Sequence, residues 1–357
     1  MESRCVVIFE NSCKAKSTYK TFIHFLDNFL KWAKHDYESL LELESVQLEN
    51  ILQDYVMYQK RRVDNGELSA NSVPDMMTGI FKFLKSNRKK IDRELITQLY
   101  PDRVKLQGDR AITDDEIRQL LEYSDKRESA IIHIVSATGA RPEGLSDLKM
   151  KDVTPLEDGF TKLILYADDF KHETITFLHP EATHAFDEYI QWRKRHGEKI
   201  TEDSFVFTSI QARNKIFTKK LNVGNMQCTI HRLFKTAGII REKQGKRYDL
   251  ATFGGFRKRF ITRLLMNSKV SESTTQCLVD HIGYLSRNYR KPTEEELLRE
   301  YKKAVNDLIV STEWKLKQEL EESKKENVIE KDKRISDLES ALNKQEIMLG
   351  ALMKKLA

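Results

Sequence analysis

The sequence predicts a mainly α protein with one small antiparallel β-sheet. It divides into a helical front domain over residues 1–105, a central domain over 112–310 and a coiled-coil helix over 313–357. Three observations carry this. Only 14 glycines and 6 prolines interrupt 357 residues, so helices meet few breakers. Apolar residues recur at spacings of three and four through most of the chain, and alternate with polar ones in the stretch 161–180. From about residue 313 the pattern becomes an apolar residue at every seventh position.

The front domain opens with "STYKTFIHFLDNFLKWAKH", which puts Tyr19, Phe22, Leu26, Phe29 and Leu30 on one helical face. "SVQLENILQDYVMYQKRRVDNG" repeats the pattern and stops at Asn65-Gly66, a C-terminal helix signal. "SANSVPDMMTGIFKFLKSNRKK" follows. The aromatics of these helices read as core. The basic ends Lys60-Arg61-Arg62 and Arg88-Lys89-Lys90 read as solvated faces or as phosphate contacts. "LYPDRVKLQGDRA" is polar and turn-rich, which places a linker near residues 100–111.

In the central domain, Thr113 and Glu116 form a capping box before the helix in "ITDDEIRQLLEYSD". "SAIIHIVSATGA" is apolar enough to be a buried helix. It runs into Arg141, an arginine on a turn ahead of Leu145 and Leu148. "TKLILYADDFKHETITFLHP" alternates, is rich in β-branched residues and is polar in the middle, a hairpin with Lys171 close to its turn. "EATHAFDEYIQWRKRHG" returns to helix, and "SFVFTS" is a short strand or buried turn. Helices continue through "RLFKTAG", "FRKRFITRLLMNS", "STTQCLVDHIGYL" and "TEEELLREYKKAVNDLI". In the tail, Val328, Ile335, Leu342, Leu349 and Leu356 repeat every seven residues. Leu338 and Leu352 fill two of the companion positions, and Lys331 and Gln345 the others.

Composition narrows the function classes. Lys and Arg exceed Asp and Glu by 61 to 55, for a net charge of +6, a balance that permits nucleic-acid binding without requiring it. Cys5, Cys13, Cys228 and Cys277 make no CxxC pair and have no zinc spacing, so they read as reduced thiols. No apolar run approaches the length of a membrane span, and the N-terminus lacks a signal-peptide pattern. A cytoplasmic protein with no membrane partner is expected.

Arg141, Lys171, Arg257, His281 and Tyr289 follow one another along the central domain. Each type suits one task at a phosphodiester. Two guanidinium forks and a histidine can hold the non-bridging oxygens as negative charge gathers there. A tyrosine can form a covalent phosphoester, and a lysine on a hairpin can protonate the leaving oxygen. This set requires neither metal nor other cofactor.

In "ATGARPEGLSDLKMKDV", "KHETITF", "GGFRKRF" and "DHIGYLSRNYRKPTEEELLREY" the chain resembles the tyrosine recombinases, or phage-type integrases. Its wording in "YRKPTEEELLREYKKA" and "GFRKRFITRLL" is most like archaeal integrases. The resemblance covers about residues 112–310. It implies that the helical front is a core-binding (DNA-binding) domain and the centre a recombinase catalytic domain. It also implies site-specific cleavage and rejoining of double-stranded DNA, as a homo-oligomer on paired sites, for a mobile element. Arg141 and Arg257 would clamp the phosphate, and Lys171 would serve the 5′-hydroxyl leaving group. His281 would occupy the later histidine or tryptophan position, and Tyr289 would form a 3′-phosphotyrosyl link.

One position departs from the pattern: Gly254 stands where the family usually has a histidine three residues before its second arginine. His172 and His231 are candidates to replace it, as is water. Tyr301 rivals Tyr289 as nucleophile, and Tyr284 lies too close to His281. Two other functions share these residues: a DNA-binding protein that has lost catalysis, and DNA relaxation of the type IB topoisomerase kind.

Overall fold

The computed structural model describes residues 3–104, 109–169, 172–209, 219–244, 247–279 and 292–320, with short stretches of the tail up to residue 344. The chain forms two compact units. One comprises residues 1–108 with the small hairpin 243–248; the other comprises 109–242 and 249–357.

The first unit is built of α1 (Arg4–Ser12), α2 (Lys16–Ala33), α3 (Tyr37–Glu42), α4 (Ser45–Asp64), α5 (Ser72–Ser86) and α6 (Glu94–Thr97). Its core gathers Phe9, Leu26, Phe29, Leu52, Tyr55 and Phe83; Leu26 and Phe29 belong to the face read from the sequence, whose Tyr19 and Phe22 are partly buried against this core. The aromatics are packing residues: Phe9 meets Phe83 edge-on, and Trp32 stacks on Tyr58. Of the basic ends, Lys89 is committed to structure, since its ammonium donates to the carbonyls of Leu41 and Leu43.

The second unit begins with α7 (Asp114–Glu122), whose Thr113–Glu116 capping box forms as the sequence implies. Next is α8 (Lys126–Thr138), capped by Asp125 and Glu128 and buried along nearly its whole last two turns. It ends at Gly139, at φ 62°. A Cβ there would stand 2.8 Å from the Phe260 ring, so both backbone and space require glycine. Arg141 then precedes α9 (Pro142–Asp147), with proline in the first turn where a missing N–H costs nothing.

Beyond α9, β1 (Val153–Pro155), β2 (Thr161–Leu165) and β3 (Thr174–Leu178) form an antiparallel sheet in the order β1-β2-β3. The hairpin register pairs Thr161 with Leu178 and Leu165 with Thr174. The alternation revealed this hairpin but not β1, which is three residues long and ends in proline. Next come α10 (Pro180–Arg195), α11 (Val223–Thr236), the hairpin β4 (Lys243–Gln244) and β5 (Arg247–Tyr248), α12 (Gly254–Met266) and α13 (Glu272–Leu278). The stretch read as one helix over 293–309 is two, α14 (Glu294–Lys302) and α15 (Val305–Leu308).

"SFVFTS" joins the rest through isolated bridges, Lys149 with Phe205 and Thr208 with Lys220. It is also pinned by Arg193, which is fully buried. Its Nη1 donates to the Phe205 and Val206 carbonyls at 2.9 and 2.6 Å, and its Nε donates to Glu198 at 2.6 Å. Arg259 plays a similar part on α12, donating to Asp114 at 2.7 Å and to the Leu308 carbonyl at 3.2 Å. Residues 312–320 of the tail are helical. No helix among the described residues is long and apolar enough to cross a membrane.

Candidate functional site

The elements that carry the two arginines converge at the C-terminal end of α8. Arg141 follows its glycine cap, and Arg257 lies in the first turn of α12, which packs against α8. Arg257 Nη1 donates to the Gly139 carbonyl at 2.9 Å and Nη2 to the Val279 carbonyl at 2.5 Å. These bonds fix the guanidinium against the two backbone turns beside it, and they satisfy a carbonyl that α8 leaves open at its end. Arg141 and Arg257 line one narrow cleft together with Thr138, Tyr166, Thr174 and Val279. Two guanidinium groups in one cleft suit a group carrying shared negative charge, as a phosphodiester does.

The remaining sequence-derived residues fare differently. Lys171, His281 and Tyr289 lie outside the described residues. Tyr301 is fully buried, and its hydroxyl donates to the Ala137 carbonyl at 2.9 Å. It packs between Phe160 and Phe177, and burial pushes its phenol well above the ordinary tyrosine value. It ties α14 to the end of α8. Neither His172 nor His231 lines the arginine cleft. His231 instead meets the Arg241 guanidinium, and burial followed by that positive charge lowers its pKa.

Gly254 opens α12, and its backbone does not use the left-handed region that favours glycine. A Cβ there would approach Ala251 Cβ to 3.0 Å, so a larger residue needs a shift of a few tenths of an ångström. Two residues near the arginines were not singled out from sequence. Tyr166 lines the cleft, and Gly144 packs under its ring. No sequence pattern marks them, because the pairing exists only once the hairpin folds back over α9. Among the described residues, no cluster of His, Cys, Asp and Glu could hold a metal ion.

Residues 110–295 match the phage integrase family. The chain belongs to that family. The match spans the second unit from its first residues through the arginine cleft and into α14. Solved structures with the same fold include the integrase of the Tn1549 transposon in complex with circular intermediate DNA. It is 15% identical, with a TM-score of 0.54, covering 84% of this chain and 98% of that one. A lambda integrase dimer bound to a COC′ core site is also 15% identical, with a TM-score of 0.52, covering 81% and 75%. A lambda integrase tetramer bound to a Holliday junction is 16% identical, with a TM-score of 0.50, covering 78% and 76%. No curated protein matches the chain. At these identities the likeness is one of fold: a mostly helical tyrosine-recombinase fold with a small antiparallel sheet.

Proposed function

We propose that the protein is a site-specific DNA recombinase, an integrase of a mobile element, that cuts and rejoins double-stranded DNA through a 3′-phosphotyrosyl intermediate. The observation that carries this reading is the shared cleft of Arg141 and Arg257 in a chain of the phage integrase family. In this mechanism the Tyr289 oxygen attacks the scissile phosphorus, and the bond to the 5′-oxygen breaks. Lys171 gives that oxygen a proton, and Tyr289 gives its own to water. Arg141, Arg257 and His281 donate to the non-bridging oxygens, where charge is greatest in the transition state. Rejoining is the reverse, with a 5′-hydroxyl attacking the phosphotyrosine. The ester energy stays in the protein link, so the scheme draws on neither ATP nor metal. The burial of Tyr301 supports Tyr289 as the nucleophile.

Residues 1–105 serve as the core-binding domain in this reading, and 313–357 as a coiled-coil helix that joins copies on paired sites. Leu338 and Leu342, both more than half exposed, support that pairing. The DNA-bound dimer and tetramer among the similar structures have the assembly the reading requires. The wording of "YRKPTEEELLREYKKA" supports an archaeal element. One observation favours a second reading, DNA binding with reduced catalysis: Gly254 in place of the usual histidine. A nicked duplex that traps cleavage, with EDTA present, separates the two. A covalent protein–DNA adduct supports the recombinase, and tight binding without adduct supports the alternative.

A further inference from the structure

Tyr166 is the residue at this cleft whose backbone is out of the ordinary. It follows the last residue of β2 and sits at φ 57°. For a bulky side chain that conformation is an outlier, and such strain persists only where the surroundings impose it. Here the left-handed turn swings the ring off the hairpin and onto α9. Gly144 makes room: a Cβ at that position would come within 3.1 Å of two ring carbons and 3.4 Å of the phenol oxygen. Arg141 lines the same cleft as Tyr166, and its guanidinium and the Gly144 N–H are the groups that act on the phenol oxygen. Burial raises the phenol's pKa and the Arg141 charge opposes the rise, so the group remains a neutral phenol near pH 7.

We propose that Tyr166 is a positioning residue for Arg141: strained backbone, glycine platform and phenol oxygen together hold that guanidinium at the cleft it shares with Arg257. The inference rests on the recombinase reading for its consequence, though not for its geometry. An arginine side chain has many rotamers, and a clamp that must meet a charge developing in the transition state gains from being fixed beforehand. The phenol oxygen has two lone pairs and can accept from both N–H groups at once. Its own hydrogen then remains as a donor.

The test compares wild type with Tyr166→Phe, which keeps the ring and removes the oxygen, and with Gly144→Ala, whose methyl crowds the ring. The first measurement needs no catalysis: the rate at which phenylglyoxal modifies Arg141, mapped by mass spectrometry, with Arg257 as internal control. Both variants should speed modification of Arg141 severalfold and leave Arg257 unchanged. The second is single-turnover cleavage of a nicked duplex. Losing a hydrogen bond to a charged group should slow adduct formation about tenfold, with DNA affinity and unfolding midpoint nearly unchanged. Unchanged Arg141 reactivity in Tyr166→Phe overturns the proposal, whatever the cleavage rate. Faster modification with undiminished cleavage overturns its catalytic consequence. A wild-type protein that never forms adduct would count against the recombinase reading and leave the first measurement to decide this one.

Discussion

At the scale of single residues, the account turns on a few side chains whose tasks differ. In the proposed mechanism Arg141 and Arg257 act on transition-state charge, whereas affinity for a duplex is spread over many phosphate contacts. Replacing either with alanine should slow cleavage about 10²–10³-fold while weakening binding far less. Single-turnover rates set beside binding isotherms check this, and equal losses in both would contradict it. In the proposed mechanism Gly254, standing where the family usually has a histidine, bears on the tyrosine proton. A phenol with a pKa near about 10 is mostly protonated at pH 7, so cleavage should rise toward alkaline pH. Because Gly254 does not need a positive φ, Gly254→His should fold once Ala251 yields slightly. It should raise the neutral-pH rate and flatten the profile, since a general base is typically worth about 10²–10⁴-fold. A folded variant with no gain at pH 7 would mean that another group already takes the proton.

At the scale of elements, the helices and the hairpin were legible because each has a local signature. The Thr113–Glu116 box, the glycine after α8 and the alternation over 161–178 all depend on neighbours in sequence. The parts that were not legible depend on partners far along the chain. In "QWRKRHGEK" nothing distinguishes Arg193 from a surface charge, yet it is wholly buried against Glu198 and two carbonyls of "SFVFTS". Removing one partner of a buried pair strands the other, so Arg193→Leu should cost about 3–5 kcal/mol by denaturant unfolding. A loss below 1 kcal/mol would show that Glu198 finds other partners. Tyr166 was equally hidden, since its place depends on a left-handed turn that no residue type announces. Of the site, Arg141 and Arg257, which the fold brings into one cleft, could be named from the sequence, but the supports that hold them could not.

The α8 and α10 histidines give a second measure at this scale. Burial lowers His133 to about 4 and His179 to about 3. His133 Nδ1 and His179 Nε2 have no hydrogen-bond partner. His133 faces His184 and Glu188, while His179 faces His133 and the positive charge of Arg259. Both are held neutral in the fold but protonate near about 6.5 when unfolded. Their contribution to stability is full above that value and is lost as pH falls from about 6.5 toward 4 and below. Each should contribute roughly 1.4 kcal/mol per pH unit across that window. Denaturant unfolding at pH 7, 6 and 5 measures the slope, and a flat profile would contradict it.

For the whole molecule, the open question is assembly. Trp314 packs beside His184 and Lys315 reaches Asp114, so the first turn of the tail is anchored to the second unit. The heptad positions lie further on, and the seam is interrupted by Lys331 and Gln345. Pairing should therefore be weak alone and strengthened when copies sit side by side on DNA. Deleting residues 321–357 keeps the anchored turn and removes the seam. The truncated chain should lose higher-order complexes on paired sites while a single site still binds one copy. Light scattering or native mass spectrometry with and without DNA checks this, and unchanged assembly in both states would refute a joining role for the tail.

In the proposed mechanism Tyr289 becomes joined to DNA in a cleft clamped by Arg141 and Arg257. This is tested most directly by incubating the protein with a nicked duplex bearing its site, digesting the product and locating the phosphotyrosine by mass spectrometry. A 3′-phosphotyrosyl link should form on Tyr289 in EDTA, be absent from Tyr289→Phe although that variant still binds, and be retained in Tyr301→Phe. A link on any other residue, or firm binding by wild type with no covalent product at any pH, would contradict the mechanism.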